Sequence, residues 1–139
     1  MLAGSNPSSK LQKLQNHQIT VRGWYHDIRE AYESGKVFLA PMQIGTGLQN
    51  KLLEAMSMGI PCVTSSLANR SLKAVNGENI YVGDSLADYV EIITSLIDDE
   101  SKRQKMGNKG RKFVEKNYNW DVFNDQLIQL FKDKQGNIE

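Results

Sequence analysis

The residues whose types and spacing best suit chemistry lie in one short segment of the chain. Gly45 and Gly47 flank Thr46, and Lys51 and Glu54 follow within two helical turns. A helix that begins in such a loop presents free N–H groups and the positive end of its dipole, which suit a phosphate. Lys51 adds a positive charge, and the carboxylate of Glu54 can accept hydrogen bonds from sugar hydroxyls. An ordinary strand–loop–helix corner has the same pattern, because Gly-x-Gly alone is a weak signal.

The flanking sequence predicts the elements that would position this segment. Short β-branched or aromatic runs alternate with longer helical patterns, which favours an α/β fold with a parallel sheet flanked by helices. The predicted strands are 2–4, 19–22, 37–40, 62–64 and 80–82. Ligands of open α/β sheets bind outside the carboxyl ends of the strands, so the loop after Pro41 is the expected place for a site.

Helical periodicity and capping residues predict the remaining elements. The predicted helices are 9–15, 28–34, 47–58, 86–97, 101–116 and 120–131. Asp27 and Ser85 are expected to cap two of them, because their side chains can accept hydrogen bonds from the first free N–H groups. The apolar stripe of helix 86–97 is predicted to pack in the core.

Length and composition restrict the class of protein. The chain has 139 residues and a formal net charge of +1, whereas dedicated nucleic-acid binders usually carry a strongly basic face. We expect one domain over residues 1–131 and a polar, frayed tail over 132–139. No apolar run approaches the ~18 residues that a membrane helix requires, and the first residues do not resemble a secretory signal. These features are typical of a cytoplasmic domain that does not bind nucleic acid.

Few side chains are candidate nucleophiles or metal ligands. The single cysteine, Cys62, follows Pro61 in an apolar strand, so we interpret it as a buried hydrophobic residue. His17 lies in a polar segment, and His26 precedes a predicted helix near the expected cleft. His26 has no second histidine or carboxylate at ligand spacing, so no metal site is predicted.

Several motifs occur in a fixed order along almost the whole chain. They are ITVRGW at 19–24, VFLAP at 37–41, GTGLQNKLLEAMSMGIPCVT at 45–64, NGEN at 76–79, GD at 83–84, MG at 106–107 and NW at 119–120. This ordered set resembles the C-terminal domain of retaining GT-B glycosyltransferases of family 4, also called glycosyl transferases group 1. The resemblance implies a Rossmann-like domain, one half of a GT-B fold, with a helical C-terminal segment. Such a domain binds a nucleotide-diphosphate sugar.

The resemblance also implies roles for individual residues. In the family's E-x7-E motif the second carboxylate falls on Glu54, which would bind the donor ribose. The first falls on Thr46, whose hydroxyl would contact the donor sugar without supplying a charge. The residues expected at the diphosphate are Gly47, Leu48, Gln49 and Lys51. Those expected at the base pocket are Trp24 and Tyr25, and Trp24 is equally consistent with a core or interdomain aromatic residue.

For the parent protein the resemblance implies an enzyme of the hexosyltransferase class. It would transfer a sugar to a hydroxyl acceptor with retention, in polysaccharide or glycoconjugate synthesis, with neither a metal nor a cofactor. The acceptor site belongs to an N-terminal Rossmann domain, so we assign no catalytic residue to this chain and expect it to be inactive alone. The alternative is a non-catalytic nucleotide- or protein-binding module on the same fold.

One strand of the family's sheet is not visible in this sequence, and its absence leads to an expectation about strand pairing. The fold's central first strand is not visible before Leu2, which would leave open sheet edges. We expect these edges to close by sliding of the chain's own strands or by pairing between chains in a homo-oligomer. The basic helix 101–116 is interpreted as a solvated face, since the acidic run 98–100 offsets its charge. Contact with the anionic inner face of a membrane is the alternative.

Overall fold

The chain divides into two compact units, Met1–Lys36 and Val37–Glu139. The computed structural model describes residues 1–45 and 47–135. In chain order the elements are β1 (Leu2–Ala3), α1 (Ser9–Gln12), β2 (Val21–Arg22), α2 (Ile28–Glu33), β3 (Phe38–Ala40), α3 (Asn50–Ser57), β4 (Cys62–Thr64), α4 (Ser66–Leu72), β5 (Tyr81–Val82), α5 (Leu86–Asp98), α6 (Glu100–Asn117) and α7 (Trp120–Gln135). This order confirms the predicted alternation of strands and helices, followed by a helical segment.

The first unit contains a two-stranded parallel sheet, β1-β2, and two short helices. Asp27 caps α2, as predicted, and its carboxylate accepts a hydrogen bond from the backbone N–H of Arg29 at 2.9 Å. The Arg29 guanidinium forms an ion pair with the same carboxylate at 2.6 Å and holds the pKa of Asp27 at about 2. Ala31 and Tyr32 are the buried residues of α2.

The second unit is built on a three-stranded parallel sheet in the order β3-β4-β5. Strand β4 is paired on both sides, and all three of its residues are buried. The largest fully buried apolar side chains of this unit are Leu52, Met56, Leu72, Ile80, Leu96 and Val63. The core therefore lies between β4 and helices α3, α4 and α5, where burial of apolar surface is the dominant stabilising contribution.

Helix α3 begins later than the sequence predicts. The glycine pattern places its start at Gly47, whereas the helix starts at Asn50 with Gln49 as N-cap. Gly47 has a φ of 92°, a left-handed conformation that the α-helix excludes. The predicted start at Gly47 is therefore wrong, and of Gly47, Lys51 and Glu54 only the last two lie on the helix.

Sequence reasoning missed helix α4 between β4 and β5. Ser65 caps this helix by accepting a hydrogen bond from the backbone N–H of Ala68 at 3.4 Å. Only Ala68 and Leu72 are buried on α4. Two buried positions over seven residues give too weak a periodic signal, although a serine before the first turn is a usual cap.

Part of the apolar surface expected in the core is exposed. On α5 only Leu96 is buried, whereas Leu86, Val90 and Ile97 are 80%, 57% and 51% exposed. The predicted core stripe is therefore wrong over most of its length. Helix α7 continues to Gln135, into the predicted polar tail, because no glycine or proline interrupts residues 132–135.

The strands form two separate parallel sheets. The expectation that the chain's own strands slide together into one sheet is therefore wrong. Within the described residues β3 is paired with a neighbouring strand, β4, on one side only. Pairing between chains stays a prediction.

Helix α6 packs against α3 through buried glycines. A Cβ atom at Gly107 would overlap the carbonyl oxygen of Gly59, just after the end of α3. A Cβ atom at Gly110 would lie 3.0 Å from the carbonyl oxygen of Asn79. Glycine weakens a helix by itself, so its presence here is explained by the close approach of the two backbones.

We expect Gly107→Ala to lower the free energy of unfolding by about 1–3 kcal/mol, because α6 must move away from Gly59 to accommodate the methyl group. The neighbouring Asn108 is exposed, and Asn108→Ala should change this free energy by under about 0.5 kcal/mol. Urea denaturation followed by circular dichroism measures both variants. Equal stability of Gly107→Ala and the wild type would contradict the close contact.

Candidate functional site

The end of β3 and the loop that follows it are attached to the end of β4 by two side-chain hydrogen bonds. The Thr64 hydroxyl donates to the carbonyl oxygen of Ala40 at 2.8 Å, and the Ser65 hydroxyl donates to that of Met42 at 2.6 Å. Both hydroxyl residues are buried. The first part of the loop therefore has a fixed position at the carboxyl end of the sheet, where α/β proteins bind ligands.

The second part of the loop turns through glycines and leads into α3. Gly45 and Gly47 have φ values of 135° and 92°, conformations that strain any residue with a Cβ atom. The side-chain amide of Gln49 donates to the carbonyl oxygen of Gly47 at 3.3 Å. Thr46 lies outside the described residues. The backbone is thus shaped by glycine at the positions that the sequence pattern singles out.

The N-terminus of α3 differs from those of α1, α2, α4, α5 and α6. Those five helices are capped by side chains of Ser8, Asp27, Ser65, Ser85 and Asp99. Gln49, the N-cap of α3, makes no such hydrogen bond to the described residues. The first N–H groups of a helix have no intrahelical partner, so those of Asn50 and Lys51 are suited to an external anion.

Lys51 and Glu54 are the exposed charged residues of α3. Residues three apart on a helix are neighbours on its surface, so the ammonium and carboxylate groups share one side. The opposite side packs in the core through Leu52, Ala55 and Met56. This packing fixes the side of α3 from which Lys51 and Glu54 project, within about one turn of the glycine loop.

The predicted diphosphate residues Gly47, Leu48 and Gln49 lie in the loop ahead of α3 rather than in its first turn. Gly47 and Leu48 are exposed, and Gln49 is half-buried. Their backbone therefore lies next to a helix N-terminus that no described side chain caps. The structure brings these residues together with Lys51 in one stretch of the second unit.

The predicted base-pocket residues lie in the first unit, directly after β2. Trp24 is 72% exposed, so its interpretation as a core aromatic is wrong. Its ring packs edge-on against that of His26 with centroids 5.8 Å apart. The hydroxyl of half-buried Tyr25 donates to the sulfur of Met1 at 2.9 Å. Most of the surface of Trp24 is therefore exposed.

An open cleft of about 280 Å³ lies at the carboxyl ends of β3, β4 and β5. Its lining residues are Pro41, Met42, Gln43, Ser65, Leu67, Asp84 and Tyr89. Burial raises the pKa of Tyr89, and the carboxylates of Asp84 and Asp88 raise it further. Sequence reasoning did not predict Ser65 and Asp84 as residues of this cleft. Both follow a strand within two residues, and this position could have indicated them, because ligands bind at the carboxyl ends of parallel strands.

Two kinds of site are not found in the part of the chain that the structure describes. Among residues 1–45 and 47–135 no group of three His, Cys, Asp or Glu residues is arranged to hold a metal ion. None of the helices described there has both the length and the apolar character needed to span a membrane.

Sequence comparison identifies the family. The profile of glycosyl transferases group 1 matches residues 1–99, a span that includes the glycine loop and all of α3. The chain belongs to glycosyl transferases group 1. This confirms the predicted membership of glycosyl transferases group 1, on a match that includes all of the first unit and residues 37–99 of the second.

Curated relatives of this group 1 chain include named glycosyltransferases. It is 29% identical over 120 residues to the capsular polysaccharide biosynthesis glycosyltransferase CapM of Staphylococcus aureus, covering 84% of this chain and 31% of that protein. It is 26% identical over 126 residues to the GDP-mannose-dependent monoacylated alpha-(1-6)-phosphatidylinositol monomannoside mannosyltransferase of Corynebacterium glutamicum, covering 85% and 33%. Spore coat protein SA of Bacillus subtilis is 27% identical over 109 residues, covering 76% and 29%. The chain spans about a third of the length of these relatives.

Solved structures confirm the fold of the group 1 chain. Sucrose-phosphate synthase from Thermosynechococcus elongatus matches with a TM-score of 0.69 at 20% identity, over 84% of this chain and 30% of that one. The C-terminal domain of a glycosyl transferase group 1 protein, LpcC, from Francisella tularensis matches with a TM-score of 0.62 at 20% identity, over 72% and 54%. These likenesses confirm the predicted class, parallel sheets flanked by helices as in half of a GT-B fold.

We expect Cys62 to be inert toward thiol reagents in the folded group 1 chain. Its side chain is 1% exposed, and burial raises the pKa of the thiol well above its ordinary value, so the reactive thiolate is scarce. Labelling with a chromogenic disulfide should be absent in native buffer and complete in denaturant, where the same thiol becomes exposed. Rapid stoichiometric labelling of the native chain would show that this cysteine is accessible.

Proposed function

We propose that the chain is the donor-binding domain of a retaining glycosyltransferase and that its glycine loop and α3 hold a nucleotide-diphosphate sugar. The observation that carries this proposal is the N-terminus of α3, which lacks a side-chain cap among the described residues. It directly follows a loop with two left-handed glycines. A diphosphate would satisfy the free N–H groups and complement the helix dipole.

The neighbouring side chains suit the remaining parts of a donor. Lys51 would contribute a positive charge to the diphosphate, together with the backbone of Gly47, Leu48 and Gln49. The carboxylate of Glu54, one turn further along α3, would accept hydrogen bonds from the ribose hydroxyls. Thr46 would offer its hydroxyl to the transferred sugar.

The exposed aromatic residue after β2 suits the base of the donor. Trp24 would supply an apolar surface for stacking on the base, and Tyr25 would be a further contact. Stacking of this kind accepts any base.

The reaction proposed for the whole protein is transfer of a hexose or similar sugar to a hydroxyl, with retained anomeric configuration, in polysaccharide or glycoconjugate synthesis. The names of two curated relatives support sugar transfer. No metal or cofactor would be needed where the helix N-terminus and Lys51 neutralise the leaving diphosphate. Transfer also needs an acceptor held beside the donor, which we assign to parts of the protein outside these 139 residues.

We expect the isolated chain to bind nucleoside diphosphates and their sugar conjugates without transferring sugar. At a hundredfold excess over the dissociation constant, a true ligand should stabilise the fold by about 2.7 kcal/mol. A thermal-shift panel of uridine, guanosine and adenosine diphosphates, with the matching nucleoside monophosphates as controls, measures this. Failure of every diphosphate to raise the melting temperature would overturn the donor-binding role, and sugar transfer by the chain alone would overturn the need for a further domain.

Glu54→Gln should weaken donor binding by about tenfold, because a charge-assisted hydrogen bond contributes about 1.5–3 kcal/mol and a neutral one about 1 kcal/mol. The shape of the side chain is unchanged, so the variant should retain the fold, which circular dichroism checks. Titration calorimetry with the best nucleotide of the panel measures the affinity.

The matched control for this change is Glu91→Gln, at an exposed position of α5. It removes the same charge from the same kind of helix surface and should leave the affinity unchanged. Unchanged donor affinity of Glu54→Gln, combined with a lower melting temperature, would make Glu54 a structural residue and exclude it from the ribose site.

A further inference from the structure

Positive charge is concentrated on one helix of the chain. Helix α6 carries seven basic and two acidic side chains over 18 residues, a net charge of +5. The whole chain has a net charge of +1, so all the other residues together carry −4. Within the acidic run 98–100, Asp99 caps α6 by accepting from the backbone N–H of Lys102 at 2.8 Å.

Three of the basic side chains on α6 have partners within the fold. Lys102 donates to the hydroxyl of Ser95 at 2.8 Å and lies over the ring of Tyr81. Arg103 donates to the last carbonyl oxygens of α5, and Arg111 forms an ion pair with Glu115 at 2.8 Å. These contacts account for the three residues as structural groups.

The other four basic residues form a single row, which we call the lysine ridge: Lys105, Lys109, Lys112 and Lys116. Their spacing of four, three and four residues places them on one face of the helix, over a length of ~16 Å. All four are exposed. The ion pairs formed among the described residues do not include any of them.

The lysine ridge lies opposite the packed face of α6. Met106, Gly107 and Gly110 are the buried residues of this helix, and they lie about half a helical turn away from the ridge. Because the buried face is held by the contact of Gly107 with Gly59, the helix cannot rotate to bury its lysines. The four exposed lysines therefore stay on the outward face of the helix.

We propose that the lysine ridge docks the chain on an anionic phospholipid surface. A row of lysines on an outward helix face can bring all its charges to a plane at once, and each lysine near such a surface adds to the attraction. The two arginines of α6, residues that can fork to phosphates in nucleic-acid sites, are already engaged, Arg103 by carbonyl oxygens of α5 and Arg111 by Glu115. The residues outside α6 carry a net charge of −4. A nucleic acid that wrapped around the chain would be repelled by them, whereas a flat surface meets only the face that carries the ridge.

The test is sedimentation of the full chain with vesicles. Phosphatidylcholine vesicles containing roughly a third phosphatidylglycerol should bind it at low salt and release it at about 1 M salt, where the screening length falls to ~3 Å. Pure phosphatidylcholine vesicles should not bind. The double variant Lys109→Gln/Lys112→Gln should bind the anionic vesicles about 25-fold more weakly, from about fivefold for each lysine.

Two matched variants separate the ridge from general charge. Lys10→Gln/Lys13→Gln removes two exposed charges, one in α1 and one at its C-cap. This variant should leave vesicle binding unchanged. Lys109→Arg/Lys112→Arg keeps the charge and should retain binding. Circular dichroism checks that each variant is folded.

Three results would overturn the proposal. The first is equal loss of binding in the α1 and α6 variants, which would indicate nonspecific attraction. The second is equal binding to neutral and anionic vesicles. The third is binding of a short single-stranded RNA that depends on the lysine ridge while anionic vesicles are not bound. Nucleotide binding by α3 is measured separately, so failure here leaves the proposed donor site unaffected.

Discussion

The end of strand β4 determines where the candidate site lies. Its residues pair with β3 on one side and β5 on the other, and the hydroxyls of Thr64 and the following Ser65 hold the end of β3 and the loop after it. Ser65 both binds this loop and caps α4. Because these groups are buried, leaving either hydroxyl without a partner would cost the full desolvation penalty of a polar group. The loop therefore keeps its position only while β3 and β4 stay paired.

Helix α3 follows this fixed loop and adds the groups with which the surface could bind a ligand. One side of the helix packs on β4 through Leu52, Ala55 and Met56, which leaves little freedom to rotate. Its free N-terminus and the exposed pair Lys51 and Glu54 are consequently displayed on the other side. The chemistry of the site thus depends on apolar packing that never touches the ligand.

Helix α6 connects the two functional surfaces that we propose. Its glycines approach the end of α3 closely, which restrains the helix that carries Lys51 and Glu54. Its opposite face carries the lysine ridge. A single helix therefore supports the site by packing and presents charge outward, and the two roles use different faces because of the helical repeat.

The sequence by itself determined the elements that depend on local interactions. The caps at Asp27 and Ser85 were predicted correctly, because a capping side chain acts within three residues. The central strand Cys62–Thr64 was also predicted at its observed bounds, since an apolar run after proline is a local signal. The family was predicted from the order of the motifs.

Tertiary structure alone decided which predicted surfaces have partners. Leu86, Val90 and Ile97 have the periodicity of a buried stripe, yet the fold provides neighbours mainly for Leu96. Gly47 has the sequence context of a helix start, but its left-handed φ delays α3 to Asn50. The loop's attachment through Thr64 and Ser65 joins residues more than twenty positions apart. Periodicity records which side chains can be buried, whereas burial itself depends on what the rest of the chain places against them.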